Sequence, residues 1–165
     1  MISIWAITPM KSFKRPKSRL GDALSLRQRR ILVKHMLSKV LLSQKKSNLF
    51  KEHLVVTEDE EVINFVKKIG FQGFLQKKAG LNQGITEATN KAIKGGATSV
   101  LIIHGDIPRA SSSILKSVVK KHKKLLVEYK KGITISPDTA GEGTTCMICT
   151  PPNIIKFKNG PGSCL

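Results

Sequence analysis

Carboxylates are scarce in this chain: 11 Asp and Glu stand against 29 Lys and Arg, a formal net charge of +18 over 165 residues. A field of that sign draws anions such as phosphates, nucleotides, nucleic acid or an acidic membrane surface. The surplus is mostly lysine spread along helical stretches, so a solvated Lys-rich surface is the competing reading. Aromatic residues are sparse too, at 5% of the chain. That counts against readers of single-stranded nucleic acid, which stack bases on aromatic side chains, and no RNP-like or helix-turn-helix pattern is present. Three cysteines, an odd number, argue against a disulfide framework and suit a reducing compartment. No apolar run approaches the roughly 18 to 20 residues of a membrane span. The opening ISIWAI is too short for a signal-peptide core and runs into Pro9, so a cytoplasmic location with no membrane partner is expected. What remains is 40% hydrophobic and 24% charged, an ordinary globular balance, and the length predicts one domain over 1–165.

Short β-branched runs alternate with longer helical patterns. ISIWAI (2–7), HLVVT (53–57), FQGFLQ, SVLIIHGD (99–106), GITISP and TTCMIC read as strands. SVLIIHGD is continuously apolar and is predicted to be central and covered on both faces. Between them, Ser25 with Gln28 forms a capping box for a helix to about Gln44, and Thr57 with Glu60 suggests another, ended by Gly70. A third helix is expected from about Asn82 to Gly95, and a fourth from Ser111–Ser113 to about Lys123. The alternation implies an α/β fold with a mostly parallel sheet flanked by helices. Cys146 and Cys149 make a CxxC, but inside a strand residues three apart face opposite sides, so core packing is expected rather than metal or redox use. His35 and His122, set among lysines, are expected on the surface.

Ligands of open α/β sheets sit outside the carboxyl ends of the strands, and three features fall there. TPMKSFKRPKSRL (8–20) follows the first strand with Lys11, Lys14, Arg15, Lys17 and Arg19 held out of a helix by Pro9 and Pro16. It is neither a Walker loop nor a GxGxxG turn, and either a solvated basic loop or a triphosphate cradle fits it. Asp106 ends the most apolar strand, a position suited to Mg²⁺ bridging nucleotide phosphates or to a turn. SPDTAGEGTT (136–145) and NGPGS (159–163) bring Gly and hydroxyl residues that suit an anion site or plain turns.

In order along the chain stand Pro9-Met10-Lys11, Lys17-Ser18-Arg19-Leu20, Leu24-Ser25 with Arg29, Val55 to Val62, Gly80-Leu81-Asn82, Gly105 to Pro108, Pro137 to Thr145 and Phe157 to Ser163. This series resembles the 2-phospholactate or phosphoenolpyruvate guanylyltransferases of deazaflavin (F-420) coenzyme biosynthesis. The resemblance implies a three-layer α/β/α nucleotidyltransferase fold with a mixed sheet, of the nucleotide-diphospho-sugar transferase kind. It implies transfer of GMP from GTP to 2-phospho-L-lactate, phosphoenolpyruvate or 3-phosphoglycerate, with Mg²⁺ as cofactor and a downstream deazaflavin transferase taking the product; a homodimer is compatible with it. Carried over, Pro9, Lys11, Lys17 and Arg19 would hold the triphosphate, with the three cations catalytic. Gly80, Leu81 and Asn82 would lie near base or ribose, Asp106 would bind the metal, and Thr145, Gly160 and Ser163 would bind the phosphorylated acid. Family members continue past G-P-G-S to a D-x-D-T-P segment whose aspartate is the second metal ligand. This chain stops at Leu165, so Asp138 or Glu142 would have to substitute, and weak or no activity is the expectation for this polypeptide alone. The alternatives are an inactive homologue or a basic nucleic-acid-binding protein.

Overall fold

The computed structural model describes residues 2–138, 141 and 143–158. Its strands are β1 (Ile4–Pro9), β2 (Glu52–Thr57), β3 (Gln72–Leu75), β4 (Ser99–Ile103), β5 (Gly132–Pro137) and β6 (Thr144–Thr150). The helices are α1 (Leu26–Ser47), α2 (Glu60–Lys68), α3 (Leu81–Lys94) and α4 (Ser112–Tyr129). The strands form one sheet in the order β3-β2-β1-β4-β6-β5. β3, β2, β1 and β4 pair in parallel, and β6 runs antiparallel to both β4 and β5. The mostly parallel sheet expected from the alternation, and the mixed sheet that the resemblance implies, are therefore present.

β1 and β4 are buried along their whole length, as continuous apolar runs require when both faces are covered. α1, α2 and α4 cover one face, where Val40, Leu115 and Val119 meet Ala6 and Leu101, and Val33 and Leu37 meet Val55 and Val62. α3 covers the other, packing Ile85, Ala88 and Ala92 on Trp5, Ile7 and Val56, with Ile154 and Phe157 of the returning chain beside it. Burying each such Leu or Ile side chain stabilises the fold by about 1.5–3 kcal/mol. Cys146 and Cys149 fall in the clusters on opposite faces, as the strand period requires, and burial pushes both thiols up to about 12. No helix among the described residues is long and apolar enough to cross a membrane.

Three readings are corrected. The α1 capping box forms with both of its bonds, but α2 is capped by Asp59, whose Oδ1 accepts from the Glu61 N–H at 2.9 Å, and not by Thr57 with Glu60. α4 runs on to Tyr129, because Lys, Leu, Val and Glu after Lys123 are compatible with helix until Lys130 turns left-handed at φ 58°. His122 is fully buried rather than exposed. Its ring nitrogens lie 2.8 Å from the hydroxyls of Thr134 and Thr150, and Thr150 is 2.6 Å from Ser99, so α4 is tied to β5, β6 and β4. A neutral imidazole, one donor and one acceptor, matches two hydroxyls.

Burial lowers the pKa of His122, and burial also leads the lowering at His53, whose Nδ1 donates to Gln44 Oε1 at 3.2 Å. Folding makes each harder to protonate, while in the unfolded chain each takes a proton near the usual 6.5. Their contribution is therefore present above the unfolded value and lost as pH falls through the lowered folded value. Urea midpoints measured from about pH 8 to pH 5 should fall below roughly pH 6.5, and His122→Gln should flatten that slope. An unchanged slope in the variant would remove His122 from the effect.

Candidate active site

The basic loop is shaped by contacts to distant parts of the chain. Its start continues off β1, where the Met10 N–H donates to Val56 O at 2.9 Å. Phe13 is fully buried, edge-on to Phe65 with the Lys34 ammonium 5.2 Å from its ring. One carboxylate fixes this bend. Asp59 Oδ2 accepts from Ser12 Oγ at 2.5 Å and from the Phe13 N–H at 3.0 Å while Oδ1 caps α2. Burial raises the pKa of Asp59, but the Ser12 hydroxyl, the two backbone N–H groups and the Lys14 charge outweigh it and hold it low. Beyond the bend, the Arg29 guanidinium donates to Pro16 O at 3.2 Å, and Lys17 takes a left-handed backbone at φ 48°, ψ 51° before a 3-10 turn over Ser18–Leu20.

That backbone carries the Lys17 side chain to Asp106, with Nζ 2.6 Å from Oδ2. Asp106 arrives through the turn after β4, where the Gly105 N–H donates to Pro9 O at 3.2 Å. A Cβ on Gly105 would sit 2.8 Å from both Met10 Sδ and Leu37 Cδ1, so a larger residue there would push those two side chains aside where the turn closes on the loop. The Lys17 and Asp106 side chains are 30% and 43% exposed, and a pair so open to water contributes at most about 1 kcal/mol. Its exchange for other partners therefore costs little. Together Lys11, Arg15, Lys17, Arg19 and Asp106 line a cavity of about 520 Å³.

Asp106 is the one carboxylate among the described residues lining that cavity, and no three His, Cys, Asp or Glu gather at metal spacing among the described residues. A single carboxylate oxygen donor beside a phosphate-sized cationic cavity fits Mg²⁺, which is commonly held by one or two carboxylates and completes its shell with substrate phosphates and water. It does not fit zinc, which asks for three or four protein ligands.

Of the other expected residues, Asn82 and Thr145 line separate cavities. Gly80 starts α3 at φ 103°, its N–H donating to Glu58 Oε1 at 2.6 Å, and Glu87 accepts the Lys77 and Lys78 N–H groups at 2.8 and 2.9 Å. Asn82 opens a cleft of about 600 Å³ between α3 and residues 153–158, on the opposite face of the sheet from α1. Thr145 lies at the start of β6, its hydroxyl donating to Ser136 O at 2.8 Å, in a cavity of about 510 Å³ beside Ile107. Pro9 closes β1 and is buried at the root of the loop. Gly160, Ser163 and Glu142 lie outside the described residues. Asp59 and Glu58 were given no role by the sequence, and Arg15 was named there only as one of the loop's cations. The first two act through backbone partners far along the chain, and Arg15 is told apart from the solvated Lys14 only by the loop's bend.

A parallel sheet with one reversed strand carries a cationic loop facing Asp106 at the ends of β1 and β4. Solved structures with this architecture include a protein described as a nucleotide-diphospho-sugar transferase from Desulfovibrio desulfuricans G20, with a TM-score of 0.73 at 16% identity over 94% of this chain and 67% of that one. A 4-diphosphocytidyl-2C-methyl-D-erythritol synthase from Anaerococcus prevotii matches with a TM-score of 0.62 at 15% identity over 98% and 81% of the two chains. The chain belongs to the guanylyl transferase CofC-like family, whose model matches residues 4–165. A phosphoenolpyruvate guanylyltransferase of Rubrobacter xylanophilus is 30% identical over 98% of this chain and 76% of its own length. A 3-phospho-D-glycerate guanylyltransferase of Colwellia psychrerythraea is 30% identical over 96% and 73%, and a 2-phospho-L-lactate guanylyltransferase of Methanobrevibacter smithii is 30% identical over 92% and 63%.

Proposed function

We propose that this protein transfers GMP from GTP to a small phosphorylated acid, the reaction class for which its relatives are named. The observation that supports it is the cavity where four cations, Lys11, Arg15, Lys17 and Arg19, surround Asp106 at the carboxyl ends of β1 and β4. A nucleoside triphosphate brings about four negative charges, and this arrangement neutralises them without a Walker loop. On nucleotide binding Lys17 exchanges its half-exposed partner Asp106 for phosphate oxygens. Asp106 would then hold Mg²⁺, which would supply charge neutralisation at the phosphates.

The acceptor's phosphate oxygen attacks the α-phosphorus of GTP. A new P–O bond forms, the bond to the bridging oxygen breaks, and its electron pair leaves with pyrophosphate. The loop cations stabilise the charge building on that leaving group, so catalysis is mainly positioning and electrostatics. The Gly80-Leu81-Asn82 corner, held by Glu58 and Glu87, is the proposed wall for ribose or base. The product would feed deazaflavin coenzyme assembly, a place that rests on the family likeness alone. Incubation with GTP, Mg²⁺ and phosphoenolpyruvate, 2-phospho-L-lactate or 3-phospho-D-glycerate should release pyrophosphate with a guanylylated acid. A folded protein at high concentration that releases none with any of the three would overturn the proposal.

A further inference from the structure

Two of the cavity's cations, Lys11 and Arg15, flank Ser12, Phe13 and Lys14 in the chain. This stretch belongs to no helix or strand, so no backbone ladder holds its bend. Side chains hold it instead. The Lys14 N–H donates to Ser12 Oγ at 3.0 Å, and Ser12 Oγ, itself on the cavity wall, donates to Asp59 Oδ2. The Phe13 N–H donates to that same oxygen at 3.0 Å. The Phe13 ring meets Phe65 and the Lys34 ammonium, and Glu61 holds Lys34 at 2.9 Å. Asp59 is the cap of α2, and Glu61 and Phe65 lie within it. The bend between two cavity cations is thus fixed by α2, although it follows β1 in the chain.

We propose that Asp59 is a positioning residue for the nucleotide: its Oδ2, through Ser12 and the Phe13 N–H, sets the loop in its binding shape before the triphosphate arrives. The proposal rests on the nucleotide transfer proposed above. Capping α2 occupies only Oδ1, and both bonds of Oδ2 go to the loop. A loose loop would have to be ordered as the nucleotide binds, and that entropic cost would be subtracted from affinity. A loop latched by Asp59 meets the cost on folding. The cost is the same with GTP or with the transition state in the cavity. Losing the latch should therefore raise the KM for GTP and leave kcat nearly unchanged. A residue needed only for stability behaves otherwise. Its loss lowers the amount of active enzyme, and hence the apparent kcat, at unchanged KM.

Two variants test this. Ser12→Ala removes the loop's side-chain bond and leaves the cap of α2 in place. Asp59→Asn strikes harder, since asparagine brings one oxygen where Asp59 uses two. At saturating acid and Mg²⁺, the KM for GTP should rise roughly 10- to 100-fold in Asp59→Asn and several-fold in Ser12→Ala. In both, kcat should stay within about 2-fold of wild type. The double variant should be no worse than Asp59→Asn, because Ser12 acts through Asp59. An unchanged KM for GTP in either single variant, or effects that multiply in the double, overturns the proposal while the transfer reaction stands. If wild type releases no pyrophosphate, calorimetric titration of inorganic tripolyphosphate into the three proteins decides instead. Binding weaker in both single variants than in wild type supports the proposal although the transfer reading has failed; equal binding, or none to wild type, overturns it. If Asp59→Asn does not fold, Ser12→Ala decides alone by the same measurements.

Discussion

Asp106→Asn is expected to lower the rate of pyrophosphate release by roughly a hundred- to a thousand-fold, the usual scale for deleting a charge-stabilising group at a reacting centre. Asparagine keeps the shape of the side chain and an oxygen for Lys17, but it removes the charge that would hold a hard cation at the phosphates. The fold should survive. The Lys17–Asp106 pair is open to water on both sides and stabilises by at most about 1 kcal/mol, so the unfolding midpoint should move little. The decisive measurement is the initial rate against Mg²⁺ concentration. Wild type should saturate, and the variant should need more metal and remain slow. A variant that keeps wild-type rate and metal dependence would take Asp106 out of the metal role.

Lys17→Gly should separate activity from stability in the same way from the other partner. Lys17 holds a left-handed backbone at φ 48°, which costs an L-residue about 1–2 kcal/mol and glycine almost nothing. Against that relief stand the lost ion pair, at most about 1 kcal/mol, and the greater freedom glycine gives the unfolded chain, about 0.5–1 kcal/mol. The terms nearly cancel, so the unfolding midpoint should stay close to that of wild type. Transfer, by contrast, should fall on the order of 100-fold, because the loop loses the cation poised nearest Asp106. Lys17→Arg should recover part of it by restoring charge without the compact ammonium. A large fall in midpoint with unchanged transfer would mean that Lys17 serves the loop's structure and not the nucleotide.

Much of the fold was legible because it rests on period and on local chemistry. The apolar run SVLII identified a buried inner strand and ISIWAI a strand, Ser25 and Gln28 formed the capping box, and Cys146 and Cys149 faced opposite sides as a two-residue period demands. His122 was missed although a signal existed. It follows Leu115 and Val119 at i+7 and i+3, on the buried stripe of α4, but four flanking lysines disguised the position. Asp59 reads locally as one more acid at a helix start, and only the fold brings Ser12 and Phe13 to its other oxygen, 47 and 46 residues away.

The same division runs through the site. Residue type and order by themselves determined that a cationic loop follows the first strand and that an aspartate ends the most apolar one, since Pro9, Pro16 and the lysines need no partner to exclude helix and attract anions. Tertiary structure decided which cation meets Asp106, that Arg15 shares the cavity with Lys17, and that Thr145 and Asn82 line other cavities. Those outcomes depend on the close packing of Gly105 against Met10 and Leu37 and on one left-handed residue. Contacts between segments far apart in the chain are set by packing and the closing of long loops, which hydrophobic period and local propensity do not encode.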